Sequence, residues 1–241
     1  MYETHLIAFF IWGMLSEKLL AKIKNGTVQE INLEYNHIGD EGAIALADML
    51  IYNTTLKVIN LGGNKIGDEG AISLADMLRF NTTVLKISLW NNNIGKEGAI
   101  ALADMLRYNT TIKKIDLGKN NIGNEGAIAL ADMLRYNTSI QKISLTTNNI
   151  GDEGAIILAD MLRFNTSVQL IYLWDNNIGE DTKQVLKKAA IDNPYIRKRL
   201  LSNYEATIFI KIFKYGKISQ RIATDISQAC CLCKINKGIF L

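Results

Sequence analysis

The side chains available for chemistry in this chain are few. It has two histidines, His5 and His37, so general bases and imidazole ligands are scarce. Cys230, Cys231 and Cys233 form a C-C-x-C cluster near the end. Three thiolates without a neighbouring histidine fall short of a four-ligand zinc set, and no metal is expected. The nearest approach to a phosphate-binding G-x-x-x-x-G-K-[ST] loop, Gly62-Gly63-Asn64-Lys65-Ile66-Gly67, continues with Asp68. No Ser/His/Asp or Cys/His arrangement can be drawn, so no catalytic residue and no cofactor is expected, and the chain reads as a non-enzyme. What remains is recognition chemistry. Trp90, Trp174, Tyr35 and Tyr172 are candidate aromatic anchors. Lys86, Lys114, Lys119 and Lys142, with Asp116 and Asp175 among them, are candidate charged contacts for an acidic or phosphorylated patch.

These residues are positioned by a repeat. Asn36, Asn64, Asn92, Asn120, Asn148 and Asn176 stand 28 residues apart, each followed by x-I-G and preceded by an L-x-x-L-x-L pattern such as Leu56, Ile59, Leu61. Each unit reads as strand, tight turn, helix and loop. The strand is the alternating stretch around Ile59-Asn60-Leu61. The repeated Asn should satisfy backbone groups of its own and neighbouring coils. In the helix, Ala71, Leu74, Ala75 and Leu78 fall at i, i+3, i+4, i+7 as an inward stripe. Asp76 and Arg79 make an outward i,i+3 pair, repeated as Asp104/Arg107, Asp132/Arg135 and Asp160/Arg163. Asp68-Glu69 and Asp152-Glu153 open helices, where carboxylates complement the dipole.

The unit N-x-I-G-D-E-G-A-I-A-L-A-D-M-L-x-x-N-T-T resembles the ribonuclease-inhibitor-like leucine-rich repeats, found in ribonuclease inhibitor, NOD-like receptors, Ran GTPase-activating protein and tropomodulin. The resemblance covers residues 28–195. It implies an α/β solenoid in an open horseshoe arc, with a parallel β-sheet on the concave face and helices on the convex face. It is specific for fold and unspecific for function.

The composition suits such a protein: 241 residues, 48% hydrophobic, 21% charged, net charge +3. That balance excludes a strongly basic nucleic-acid binder. Residues 1–27 read as an N-terminal capping helix. Their apolar run, Leu6 to Leu15, is short for a membrane span and lacks the basic start of a signal peptide. Residues 28–195 hold six repeats including a C-terminal cap, with 15 basic against 20 acidic residues. Residues 196–241 form a basic, non-repeating tail, with 9 basic against 2 acidic residues. A membrane surface could be engaged through that tail. Sequons at Asn25, Asn53, Asn81, Asn109, Asn137 and Asn165 read first as a loop signal of the repeat and second as glycan acceptors.

The six copies differ mainly at the strand positions expected to face outward on the concave side. Trp90 and Trp174 follow the last strand leucine and should be exposed there. The expected function is recognition of a protein partner on the concave face, in a cytoplasmic signalling or regulatory setting. The alternatives are a Ran-directed GTPase-activating protein and a membrane-associated adaptor acting through the tail.

Overall fold

In each repeat, three extended residues carry one inward isoleucine between two outward side chains. The computed structural model describes residues 25–193 together with Ala21 and Ile23. In it β1 (Glu30–Asn32), β2 (Val58–Asn60), β3 (Lys86–Ser88), β4 (Lys114–Asp116), β5 (Lys142–Ser144) and β6 (Leu170–Tyr172) form one parallel sheet in chain order. The register steps by one repeat, so Ile31, Ile59, Ile87, Ile115, Ile143 and Ile171 stand side by side. All six are at most 4% exposed. The sheet is open, with β1 and β6 at its edges.

Parallel neighbours need a crossover, and a helix supplies it each time. These are α1 (Gly39–Leu50), α2 (Asp68–Phe80), α3 (Lys96–Tyr108), α4 (Gly123–Leu134), α5 (Asp152–Phe164) and α6 (Glu180–Asp192). Their inward stripe is the expected one, Ala71, Leu74, Ala75 and Leu78 in α2, widened by Met77. Strand isoleucines, turn leucines and helix stripes merge into one core, and Ile23 joins it from the N-terminal side. The rest of the expected capping helix and the basic tail lie outside the described residues.

Two ladders of asparagine tie the coils together. The first is the expected one. Asn92 Oδ1 accepts the N–H groups of Asn64 and Ile66, both at 3.0 Å, and its Nδ2 donates to the carbonyls of Leu61 and Leu89. The second runs through the sequon asparagines. Asn109 Oδ1 accepts from Thr111 and Ile112, while Nδ2 donates to the carbonyls of Leu78 and Asn81. Asn53, Asn81, Asn109, Asn137 and Asn165 are all at most 9% exposed. The amide nitrogen that would carry a glycan is a buried donor at Asn81, Asn109, Asn137 and Asn165. These four are structural, and the loop-signal reading stands.

The helix-opening aspartates do more than complement their own dipole. Asp40 Oδ1 accepts the N–H groups of Gly67 and Gly70, which open α2, the helix of the next repeat. Asp68 does the same for Gly95 and Gly98 of α3, and Asn124 for Gly151 and Gly154 of α5. Asp152 accepts from Gly179 ahead of α6. In these turns the glycine is extended and the helix starts one residue later. Repeat three has Lys96 where the carboxylate would stand. The turn it faces takes another form: Gly123 has φ +65°, and α4 begins at Gly123 itself. Gly39, whose preceding repeat unit lies outside the motif, has φ +61° and opens α1 in the same way. A capping oxygen from the preceding coil therefore selects the turn conformation.

The outward ion pairs form in part. Asp132–Arg135 and Asp160–Arg163 close at 3.7 Å, but the shortest contact, 2.8 Å, runs between repeats from Arg135 to Asp160. Arg107 lies over the Tyr136 ring instead of pairing with Asp104.

Candidate recognition surface

After each strand the chain makes the same turn, and its residue just before the ladder asparagine sits in the left-handed region. Tyr35, Asn91, Lys119, Thr147 and Asp175 have φ between 54° and 58°, and Gly63 has φ 69°. That conformation costs a non-glycine residue something, and the asparagine hydrogen bonds around it hold it in place. One consequence is that these side chains and the outward strand side chains share the concave side.

Two aromatic clusters form there. Tyr35 meets Trp90 edge to face, with ring centroids 6.2 Å apart. The two belong to repeats one and three, and the ring crosses repeat two over Gly63, where a Cβ would collide with the Tyr35 ring. Trp90 leans the other way across repeat four; a Cβ on Gly118 would stand 3.1 Å from Trp90 Cδ1. Lys119 Nζ lies 4.8 Å from the Trp90 ring centre, inside cation–π range. In the second cluster Tyr172 and Trp174 pack at 4.8 Å, and Lys142 Nζ sits 4.9 Å from the Tyr172 ring.

Exposure differs from expectation. Tyr35 is 59% exposed, but Trp90 and Trp174 are half-buried and Tyr172 is 9% exposed. Trp90 is partly covered by Tyr35 and Lys119, and Trp174 by Tyr172, so each leaves part of its ring exposed on this face.

Between the clusters runs a row of amines. Lys86 pairs in register with Lys114, and Lys114 with Lys142. Adjacent strands lie about 4.8 Å apart, a spacing at which like charges directly opposite repel. Lys86 and Lys114 are exposed and make no ion pair among the described residues. Asp116 is half-buried, its Oδ1 taken by the Gly118 N–H at 3.0 Å, and Asp175 is exposed at the far end. Asn64, Asn92, Asn120 and Asn148 are buried below this surface as its frame, while at its two ends Asn36 is exposed and Asn176 half-buried.

Sequence reasoning missed Gly62, Gly63 and Gly118. Their signal was present: at outward positions occupied elsewhere by larger side chains, two copies carry glycine, repeat two at both positions and repeat four at one. Those glycines clear the space that the aromatic rings occupy. Among the described residues no three His, Cys, Asp or Glu side chains stand together as a metal set, and no helix is long and apolar enough to cross a membrane.

An open parallel sheet with one recurring convex helix per strand, and a polar, varied concave side, defines a repeat solenoid. Residues 24–47, 52–75, 80–103, 108–131 and 136–159 each match the leucine-rich repeat family. The chain is a leucine-rich repeat protein of the ribonuclease-inhibitor-like type. The sixth repeat, in which α6 replaces the A-L-A-D-M-L helix, lies beyond those matches. No curated protein matches the sequence. Among solved structures, a leiomodin-1 fragment described as its actin-binding site 2 superposes with a TM-score of 0.54 at 23% identity, covering 62% of this chain and 88% of that one. The tropomodulin C-terminal domain from Caenorhabditis elegans superposes with a TM-score of 0.53 at 18% identity, covering 68% of this chain and 99% of that one. At these identities the likeness establishes the fold.

Proposed function

We propose that this chain is a non-catalytic recognition module, acting in intracellular signalling or regulation, that holds an acidic segment of a partner protein on its concave face. The observation that carries this reading is the in-register row Lys86, Lys114, Lys142 flanked by the two aromatic clusters. A row of like charges weakens the free protein, and a carboxylate- or phosphate-bearing partner relieves the repulsion. The rings beside it supply rigid contact area at low entropic loss. The leiomodin-1 fragment is described as an actin-binding site, which makes actin a direct probe without making it the expected partner. Nothing in the concave geometry favours GTPase activation.

Affinity capture with the full chain tests the reading, with Lys86→Gln/Lys114→Gln as the comparison because both side chains are exposed. A partner held by the native chain, released by moderate salt and lost at least tenfold by the variant is the expected result. Equal retention by both removes the concave face as the binding surface. Purified actin and a stimulated GTP-hydrolysis assay run alongside as separate arms.

A further inference from the structure

Each repeat offers the same backbone groups to the one that follows it. The Gln141 carbonyl accepts the N–H groups of Gln169 and Leu170, and the Leu145 N–H donates to the Tyr172 carbonyl at 2.8 Å. The same bonds join every earlier pair of repeats, as from Lys113 and Lys114 to Leu85 and from Leu89 to Asp116. At β6 the equivalent groups are the Gln169 carbonyl and the Leu173 N–H. Neither has a partner among the described residues. Leu173 is 5% exposed, so little water reaches it in compensation. The outer edge of β6 is therefore shaped to be paired.

The chain arrives at that edge in register. Asn193 stands 28 residues after Asn165 and extends the second asparagine ladder by one rung. It is 0% exposed, and its Nδ2 donates to the carbonyls of Leu162 and Asn165. Its backbone leaves α6 with φ −70° and ψ 114°. The chain leaves α2, α3 and α5 in the same direction, with −75° and 118°, −75° and 117°, and −68° and 130°. Each of those exits leads through a short loop into the next strand. Pro194 suits this exit. An extended residue is what a following proline favours, and at the equivalent Thr54, Thr82, Thr110, Thr138 and Thr166 the N–H makes no hydrogen bond among the described residues.

The sequence then resumes the repeat spacing. Ile196 follows Asn193 by three residues, as Val168 follows Asn165, and Leu201 follows Ile196 by five, as Leu173 follows Val168. We infer that the outer edge of β6 is the docking edge for residues 196–201 of this same chain, added as a seventh parallel strand. In that register the Arg197 and Lys198 N–H groups reach the Gln169 carbonyl, and the Leu200 carbonyl receives the Leu173 N–H. Arg199 falls where the other strands carry isoleucine, and Tyr204 where they are followed by the turn asparagine, so the pattern stops after one strand. The cluster Arg197-Lys198-Arg199 gains a role by this placement: charge on an outermost strand discourages a further chain from pairing with it. A segment tethered at Asn193 closes a short loop, whereas the strand of a second copy would also lose its translational freedom. Solenoid ends need covering, and this strand covers one of them.

Hydrogen exchange of the full chain, read residue by residue, tests the inference, with the bonded Leu145 amide as internal reference. The Leu173 amide is expected to exchange within about tenfold of the Leu145 rate. In the proposed register the Leu200 N–H points at β6 and the Arg199 N–H points away. Leu200→Pro is expected to speed exchange at Leu173 by about tenfold or more while Leu145 stays protected, and Arg199→Pro to leave both amides as in the native chain, since an edge strand tolerates proline where its N–H faces outward. Fast exchange at Leu173 in the native chain overturns the inference, and so does an equal effect of the two prolines. Protection at Leu173 that rises with protein concentration assigns the edge to a second copy and overturns it too. None of these outcomes bears on the lysine row, so the concave reading stands or falls separately.

Discussion

Asn92 and Asn36 occupy equivalent places in their repeats, yet they do unequal amounts of structural work. Asn92 is 7% exposed and satisfies two backbone N–H groups and two carbonyls through its side chain. Removing it leaves buried groups of the neighbouring coils without partners, each worth roughly 1–3 kcal/mol. Asn36 is exposed, and its side chain donates to the Glu34 carbonyl. Asn92→Ala is therefore expected to destabilise by about 3 kcal/mol or more, and Asn36→Ala by less than about 1 kcal/mol. Urea unfolding followed by circular dichroism compares them. Similar losses would mean that the ladder bonds contribute little and that the repeat retains asparagine for another reason. A parallel expectation concerns Asn109. Expressed in a glycosylating secretory system, the folded chain should carry no glycan there, because Nδ2 is occupied by the Leu78 and Asn81 carbonyls. Mass spectrometry of the corresponding peptide reads this directly.

At the scale of elements, the turn before each helix is a two-state feature set by one side chain in the previous repeat. Lys96→Asp supplies the missing carboxylate to Gly123 and Gly126. The variant is expected to move Gly123 out of the left-handed region, start α4 one residue later, and gain about 1 kcal/mol. A crystal structure reads the turn and thermal unfolding reads the gain; an unchanged Gly123 φ would sever the link between cap and turn. Acid sensitivity belongs to the same device. The Gly179 N–H, then the Thr182 side chain, hold the Asp152 carboxyl below its ordinary value of 3.8. A folded-state pKa below the unfolded one contributes stability that is complete above the unfolded value and lost as pH falls below about 4. Asp152→Asn keeps the acceptor, as Asn124 does in repeat four, but cannot titrate. Its stability is expected to fall less steeply than the native chain's in acid. Glu180→Gln serves as a control, since Glu180 is also held low, by Lys183 at 2.6 Å. Strand, helix and first asparagine ladder were legible in the sequence because each repeats at one spacing. The cap was not, because Asp68 acts on Gly95, 27 residues on, and only the stacking of coils brings them together. The second ladder hid behind sequons for the same reason. At the candidate site residue types were legible, and burial was not: Tyr172 is covered by Trp174 and Lys142 from positions that sequence order does not rank.

For the whole molecule, repetition makes stability nearly a sum over units and their interfaces. Removing residues 69–96 deletes one 28-residue period and joins Asp68 directly to Glu97. The strand register is preserved, since β2 is then followed by β4 with Ile59 beside Ile115. The junction also discards Lys96 and sets Asp68 one repeat before Gly123, so the shortened chain regains the cap that the native chain lacks at α4. The deleted span contains Trp90, which dissolves the first aromatic cluster without opening the core. A cooperative five-repeat solenoid is expected, with a denaturant m-value lower by about one sixth because less surface is exposed on unfolding. Its stability should fall by less than one unit's share, the new cap offsetting part of the lost interface. Urea unfolding measures both quantities on the same curve. A drop in m far beyond one sixth, or a broad non-cooperative transition, would mean that the repeats are not interchangeable and that repeat three holds the arc together. If the shortened chain folds as expected but loses the concave partner, the same protein separates the surface that recognises from the frame that supports it.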